Sequence, residues 1–196
     1  MSRSLTAAVL LGLAATPASA HPHVWIDARA KLRFEGGAIV AIGMEWRFDE
    51  VFSDFVLAEF DADGDGAFDA GETGKAEQEA FAALADLGWL THLRVDGQEV
   101  PLTAYRDFAI GAADGIVTYR FELPLAQPVD PARSDVLLGV YDATYYIDVV
   151  MAESEPVLFT GQPPEACRFE MVEDSSQSIY FGMVNPIVAE VRCAAS

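Results

Sequence analysis

The densest chemistry in the chain lies in one run of residues, Asp61-Ala62-Asp63-Gly64-Asp65-Gly66-Ala67-Phe68-Asp69-Ala70-Gly71-Glu72. Carboxylates crowded this closely repel one another unless a cation sits among them, and hard oxygen donors suit Ca²⁺. The spacing fits the EF-hand loop. Asp61, Asp63 and Asp65 take its first, third and fifth places, and Gly66 supplies the sharp turn at the sixth. Ala67 offers its backbone carbonyl at the seventh, Asp69 stands at the ninth, and Glu72 closes the loop as a bidentate ligand at the twelfth. Phe68 is apolar, as expected of a residue packing between flanking helices. The competing reading is a solvated acidic turn. Sensor EF-hands come in pairs and only one loop is visible in this sequence, so a structural Ca²⁺ is expected rather than a signalling switch.

Histidine is the second source of chemistry, and the chain holds three. His21 and His23 follow a segment with the marks of an export signal. Arg3 is its positive start, Leu5 to Ala15 its apolar run, and Ala18-Ser19-Ala20 its small-residue cleavage site. Residues 1–20 are therefore expected to be removed, leaving residues 21–196 as one β-rich domain exported to a periplasm. A mature His21 would offer an α-amine and an imidazole, and His23 a second imidazole. Such donors favour Ni²⁺, Zn²⁺ or Cu²⁺ over Ca²⁺. Pro22 removes the amide nitrogen that an amino-terminal square-planar site would use, so further ligands must come from the fold. Candidates are Asp27, Glu45, His92, Asp142 and Asp148. The competing reading is a frayed terminus that happens to contain histidines, and for His92 a packed histidine in an apolar strand.

These residues need elements to position them. Val24 to Phe48 alternates polar and apolar on both sides of Glu35-Gly36-Gly37, the pattern of a hairpin. From Asp49 to Leu87 the period changes: Val51, Phe52, Phe55, Val56 and Phe60 recur at helical spacing, as do Ala80, Phe81, Leu84 and Leu87. From Trp89 onward strands return. LTHLRV and EVPL flank the Asp96-Gly97 turn, and IVTYRFELPL, DVLLGVYD, TYYIDVVM and PVLF follow. The expected class is α+β, mainly β: an antiparallel β-sandwich-like domain with a helix-loop-helix EF-hand insertion at about 49–87. Trp25 and Trp46 are expected in the core, and Tyr141, Tyr145 and Tyr146 on strands. Cys167 and Cys193 end short alternating segments, lack a CxxC pattern, and are expected to form a disulfide worth about 3 kcal/mol.

Composition narrows the function classes. Lys and Arg total 12 against 31 Asp and Glu, a net charge of −19, so the chain cannot neutralise a run of phosphates and nucleic acid is excluded as a partner. No stretch after the signal is long and apolar enough to anchor it in a membrane. GxSxG, phosphate-cradling glycine loops and HExxH are missing, and nucleophilic catalysis has few players, so an enzyme is not expected.

The blocks HPHVWIDA, WRFDEVFS leading into DADGDGAFDAGE, and YDATYYID resemble the bacterial periplasmic proteins grouped as domain of unknown function 1007. The resemblance covers nearly all of the mature chain. It departs at YDAT, where YDPT is expected, which leaves the carboxylate and tyrosines in place. The family is often described as periplasmic components of transport systems beside nickel/cobalt efflux permeases. The resemblance therefore implies a metal-handling accessory of an inner-membrane permease. Two rivals remain: a structural or interaction domain merely stabilised by Ca²⁺, and a copper enzyme built on the N-terminal histidine.

Overall fold

The structure, a computed structural model, describes residues 24–194; the expected signal segment, His21 and His23 lie outside the described residues. The chain opens with the expected hairpin. β1 (Val24–Glu35) and β2 (Ala38–Phe48) pair antiparallel about Gly36 and Gly37, whose φ values of 56° and 86° suit glycine. Along β1 the alternation is strict: Ile26, Ala28, Ala30, Leu32 and Phe34 are buried, with their neighbours turned outward.

β5 (Arg106–Ala113) and β6 (Ile116–Val129) extend this sheet on the β2 side, and β8 (Ile147–Met151) and β9 (Val157–Gly161) both lie on the free side of β1. A second sheet has the order β10-β11-β7-β3-β4, from β3 (Thr91–Val95), β4 (Gln98–Val100), β7 (Val136–Val140), β10 (Arg168–Glu173) and β11 (Ile187–Arg192). One buried cluster draws Leu32, Ile42, Trp46 and Leu123 from the first sheet and Leu93, Leu138 and Val191 from the second. The protein is thus α+β and mainly β, with two sheets.

Three expectations need correction, and one strand was not expected at all. β8 and β9 pair with β1 in parallel, so the first sheet is not purely antiparallel. β5 is a strand that the alternation did not announce. Trp25 is not core: it sits on the outward phase of β1 and is 45% exposed. Tyr141, Tyr145 and Tyr146 lie in the turn that precedes β8 rather than on strands.

Between the sheets in sequence comes the helical segment. α1 (Glu50–Phe60) and α2 (Ala70–Ala76) flank the 61–69 loop, and the chain continues through a π-helical stretch, Glu77–Phe81, and a 3₁₀ stretch, Ala82–Leu90. The segment is bolted to the sheets by Phe81. This ring is fully buried, 4.5 Å from Phe108, 4.6 Å from Phe121 and 6.2 Å from Trp46, centre to centre. Truncating such a residue removes about 3–5 kcal/mol.

On its outer face the first sheet carries ion pairs across four strands. Glu45 of β2 takes Arg29 and Arg120, and Glu122 of β6 takes Arg33 and Arg106. In the second sheet Arg94 and Asp174 form a buried pair, and Arg94 also donates to Ser176 Oγ at 3.0 Å. Cys167 and Cys193 are bridged, one step beyond the Arg168–Arg192 register pair of β10 and β11.

Candidate metal centre

The loop is held by what precedes it. Asp49 caps α1: its Oδ1 accepts from the Val51 and Phe52 N–H groups at 2.8 and 3.0 Å. Its Oδ2 accepts from the Trp25 N–H at 3.0 Å, which ties the helix start to the start of β1. One turn on, the buried Ser53 hydroxyl accepts from the Val117 N–H of β6 at 3.0 Å. Val56 and Phe60 are buried on the same helix face. α1 therefore points its C-terminus, and Asp61, to a fixed place at the surface.

Within the loop, Asp61 organises the turn. Its Oδ1 accepts from Gly64 and Asp65 N–H at 2.9 and 3.2 Å, and its Oδ2 from Gly66 N–H at 2.9 Å. Gly64 and Gly66 have φ values of 72° and 79°, which side-chain-bearing residues adopt poorly. The bend brings one carboxylate oxygen each from Asp61, Asp63 and Asp65 to within 4.8 Å of one another, a group that could hold a metal ion and the only such triplet of His, Cys, Asp or Glu among the described residues.

The far end is closed by a capping box. Asp69 Oδ1 accepts from Gly71 and Glu72 N–H at 2.7 and 2.9 Å, while Glu72 Oε2 accepts from Asp69 N–H at 2.9 Å. Glu72 Oε1 also reaches back to Ala62 N–H at 2.7 Å, so one side chain joins both ends of the loop. Asp69 and Glu72 stand outside the Asp triplet. Phe68 is partly buried against the core, as expected of the apolar place in the loop.

Electrostatics favour a cation here. Asp61 sits at the C-terminus of α1, where the helix dipole adds negative potential. The Asp65 backbone N–H pulls the Asp63 carboxyl down, but repulsion from Asp65, Glu72 and Asp61, with slight desolvation, outweighs it and raises the group above the usual carboxylate value. The nearest cationic group on α2 is turned elsewhere: Lys75 Nζ donates to the Glu59 carbonyl at 2.9 Å and lies 5.1 Å from the Phe60 ring centre.

The other candidates are not in this cluster. Asp142 is 5% exposed and organises the turn before β8. It accepts from Thr144 N–H and Oγ1 at 2.8 Å and from Tyr146 and Ile147 N–H at 3.1 Å. Burial would push this carboxyl up, but the hydrogen bonds outweigh it and hold the group below its ordinary value. His92, on β3, stacks on Tyr141 at 3.9 Å, with Nε2 3.1 Å from the Tyr141 carbonyl oxygen and Nδ1 3.4 Å from Glu99 Oε1. Glu45 is engaged by arginines, Asp27 is exposed, and Asp148 hydrogen-bonds the Tyr145 hydroxyl. β1 begins at Val24, whose register partner Ile147 closes the Asp142 turn. Sequence reading missed the roles of Asp49 and Ser53, although Asp before a helical run is a recognisable cap signal.

Fold and loop together define a β-rich protein carrying an acidic loop, and the chain belongs to the family described as Protein of unknown function (DUF1007), whose model matches residues 6–184. It is 28% identical over 141 residues to an "Uncharacterized 15.5 kDa protein in trpE 3'region" of Spirochaeta aurantia, a match covering 72% of this chain and 100% of that protein. It is 24% identical over 157 residues to an "Uncharacterized protein" of Haemophilus influenzae, covering 79% of this chain and 73% of that one. Among the described residues no helix is long and apolar enough to cross a membrane.

Proposed function

We propose that residues 61–72 are an EF-hand Ca²⁺ site, inserted with its two helices into a β-sandwich, and that the protein is a periplasmic metal-handling accessory. The observation that carries the calcium reading is the convergence of the Asp61, Asp63 and Asp65 oxygens within 4.8 Å on a loop already bent by glycines. The Ala67 carbonyl, Asp69 and Glu72 would complete the shell, and all are oxygen donors, as Ca²⁺ requires. Glu72 joins both ends of the loop through the Ala62 and Asp69 N–H groups, which supports it as the closing ligand.

The second half of the reading concerns a transition metal. His21 and His23 lead into β1, whose first described residue pairs with Ile147 beside the Asp142 turn, and the mature amine and imidazoles would bind Ni²⁺, Zn²⁺ or Cu²⁺. The Cys167–Cys193 bridge supports an oxidising compartment. Likeness to proteins found beside nickel/cobalt permeases supports an inner-membrane permease as partner, with this protein binding and passing the ion rather than catalysing a reaction.

The test is native mass spectrometry of protein purified from periplasm with its N-terminus confirmed. Metal-free protein is offered Ca²⁺ together with limiting Ni²⁺, Zn²⁺ or Cu²⁺. The expected result is one Ca²⁺ and one transition-metal ion, the latter lost on His21→Ala, His23→Ala. Binding of Ca²⁺ alone would reduce the protein to a calcium-stabilised domain, and binding of neither would overturn both halves.

A further inference from the structure

Apart from the loop, the most unusual surface is a cleft of about 430 Å³ between β8, at the edge of the first sheet, and Val140, Met171 and Ile187 of the second. β8 and the turn after it form one wall, and Ile179 with Val184–Ile187 form the other. β8 ends its sheet, so one side of its backbone faces no strand. A bare edge is a ready template for another chain. Val149 and Met151 of β8 share the inward phase of their β1 partners Ile26 and Ala28 and line the cleft half-buried, Val150 takes the outward phase, and Ile187 on the other wall is 51% exposed. Beyond Ile187 a hairpin tip, closed by the Ile179–Val184 bridge, displays Phe181 at 95% and Met183 at 66% exposure. The tip is fixed in place. Tyr180 and Phe181 both hold positive φ, 48° and 58°, and the Tyr180 N–H donates to the Ala143 carbonyl at 3.1 Å. Tyr145 packs on Tyr180 with ring centres 5.5 Å apart.

Charge identifies the occupant. The charged side chains lining the cleft are Asp142, Asp148 and Glu153, with no lysine, arginine or histidine among them. Asp142 is consumed by its own turn and Asp148 accepts from the Tyr145 hydroxyl, which leaves Glu153 as the exposed carboxylate at the cleft, with Asp148 beside it. A second copy of the chain would set these carboxylates against themselves under a net charge of −19.

We propose that this groove docks an extended, cationic and apolar segment of a partner protein, which adds as a strand to the β8 edge. Its alternate apolar side chains enter the cleft beside Val149, Met151 and Ile187, and its lysines or arginines, on the other face of the added strand, meet Asp148 and Glu153. The metal loop plays no part in this recognition.

The experiment pans a phage-displayed library of random twelve-residue peptides against the purified protein in Ca²⁺ at physiological salt. The expected winners are net-positive peptides with apolar residues at every second place. Ile187→Asp, a substitution of an exposed residue, should weaken the winners at least tenfold. Glu153→Lys should weaken them severalfold and flatten their salt dependence, whereas Phe55→Ser on α1 should leave them unchanged. Amide exchange of those β8 amides that are bonded neither to β1 nor to Asp142 should slow at least tenfold in the complex. Failure to enrich any peptide, winners that are acidic or of helical period, or affinities untouched by Ile187→Asp would each overturn the proposal. So would a concentration-dependent dimer of the unliganded protein that Ile187→Asp abolishes.

Discussion

Replacing Asp63 by Asn should separate the loop's two energetic roles, because repulsion and metal binding respond with opposite signs. In the metal-free protein the Asp63 carboxyl is raised above its ordinary value: the Asp65 N–H favours its charge, but repulsion from Asp65, desolvation, and repulsion from Glu72 and Asp61 together outweigh it. A raised folded-state value means that ionisation opposes folding. Asp63→Asn removes that charge, so the metal-free variant should melt no lower than wild type and preferably higher. Ca²⁺ reverses the order. With a dissociation constant of about 10⁻⁴ to 10⁻³ M for an isolated extracellular-type loop, 10 mM free Ca²⁺ stabilises the native state by about 1.4–2.7 kcal/mol. For a domain of this size that raises the melting temperature by about 3–11 °C. Asp63→Asn deletes one of the three converging oxygens' charges and should lose most of that increment. The assay is thermal unfolding by circular dichroism in chelator, in 10 mM CaCl₂, and in 10 mM MgCl₂ at matched ionic strength. An Asp63→Asn protein that melts lower without metal yet keeps the full Ca²⁺ shift would refute the reasoning, as would an equal shift with Mg²⁺.

Three further outcomes follow from the sheets. Arg94→Ala strands the buried Asp174 carboxylate and should cost about 3–5 kcal/mol in urea unfolding, with much of it recovered when Asp174 is also made apolar. Cys193→Ser should cost about 3 kcal/mol and make stability insensitive to reductant, which lowers wild type to the same level. In acid, Asp142, Glu45 and Glu122 act together: burial alone would raise each, but hydrogen bonds and, for the glutamates, arginine charges hold all three below their ordinary values. Their stabilisation is complete above the ordinary carboxylate range near pH 4 and is lost as pH falls below it. Melting temperatures from pH 7 to pH 3 should show that fall, with a shallower slope in Asp142→Asn.

What could be read from the sequence was local. The 61–72 loop and its flanking helices are continuous in the chain, so spacing alone placed Asp61, Asp63 and Asp65 together. The β1–β2 and β3–β4 hairpins declare themselves by alternation around Gly36-Gly37 and Asp96-Gly97. Trp25 could have been read correctly, since Ile26 and Ala28 set the inward phase and leave position 25 on the outward one. β5 escaped notice because a register irregularity between Arg106 and Ala109, with Asp107 at φ 56°, breaks its alternation; Asp114-Gly115 was the remaining signal. The parallel pairing of β8 and β9 with β1 joins segments more than a hundred residues apart, and no local pattern encodes it. The same holds for the cleft, which the fold assembles from residues near 150 and near 185.

The anchoring of the acidic loop decides what metal binding can do. α1 is tied to β1 through Asp49 and Trp25, and to β6 through Ser53 and Val117. After α2 the chain returns to the core at Phe81. Both flanks are thus fixed to the same sheet, which leaves little freedom for the wide helix opening by which sensor EF-hands expose a groove. A cation in such a loop stabilises the fold it is bolted to. Its contribution appears as global stability, shared by β1 and β6, rather than as a local rearrangement. Cutting one tether tests this directly. Ser53→Ala leaves the buried Val117 N–H without its acceptor and loosens α1, so it should lower both the metal-free melting temperature and the increment that Ca²⁺ adds. A switch would behave otherwise, keeping its Ca²⁺ increment or enlarging it once the helix was freed.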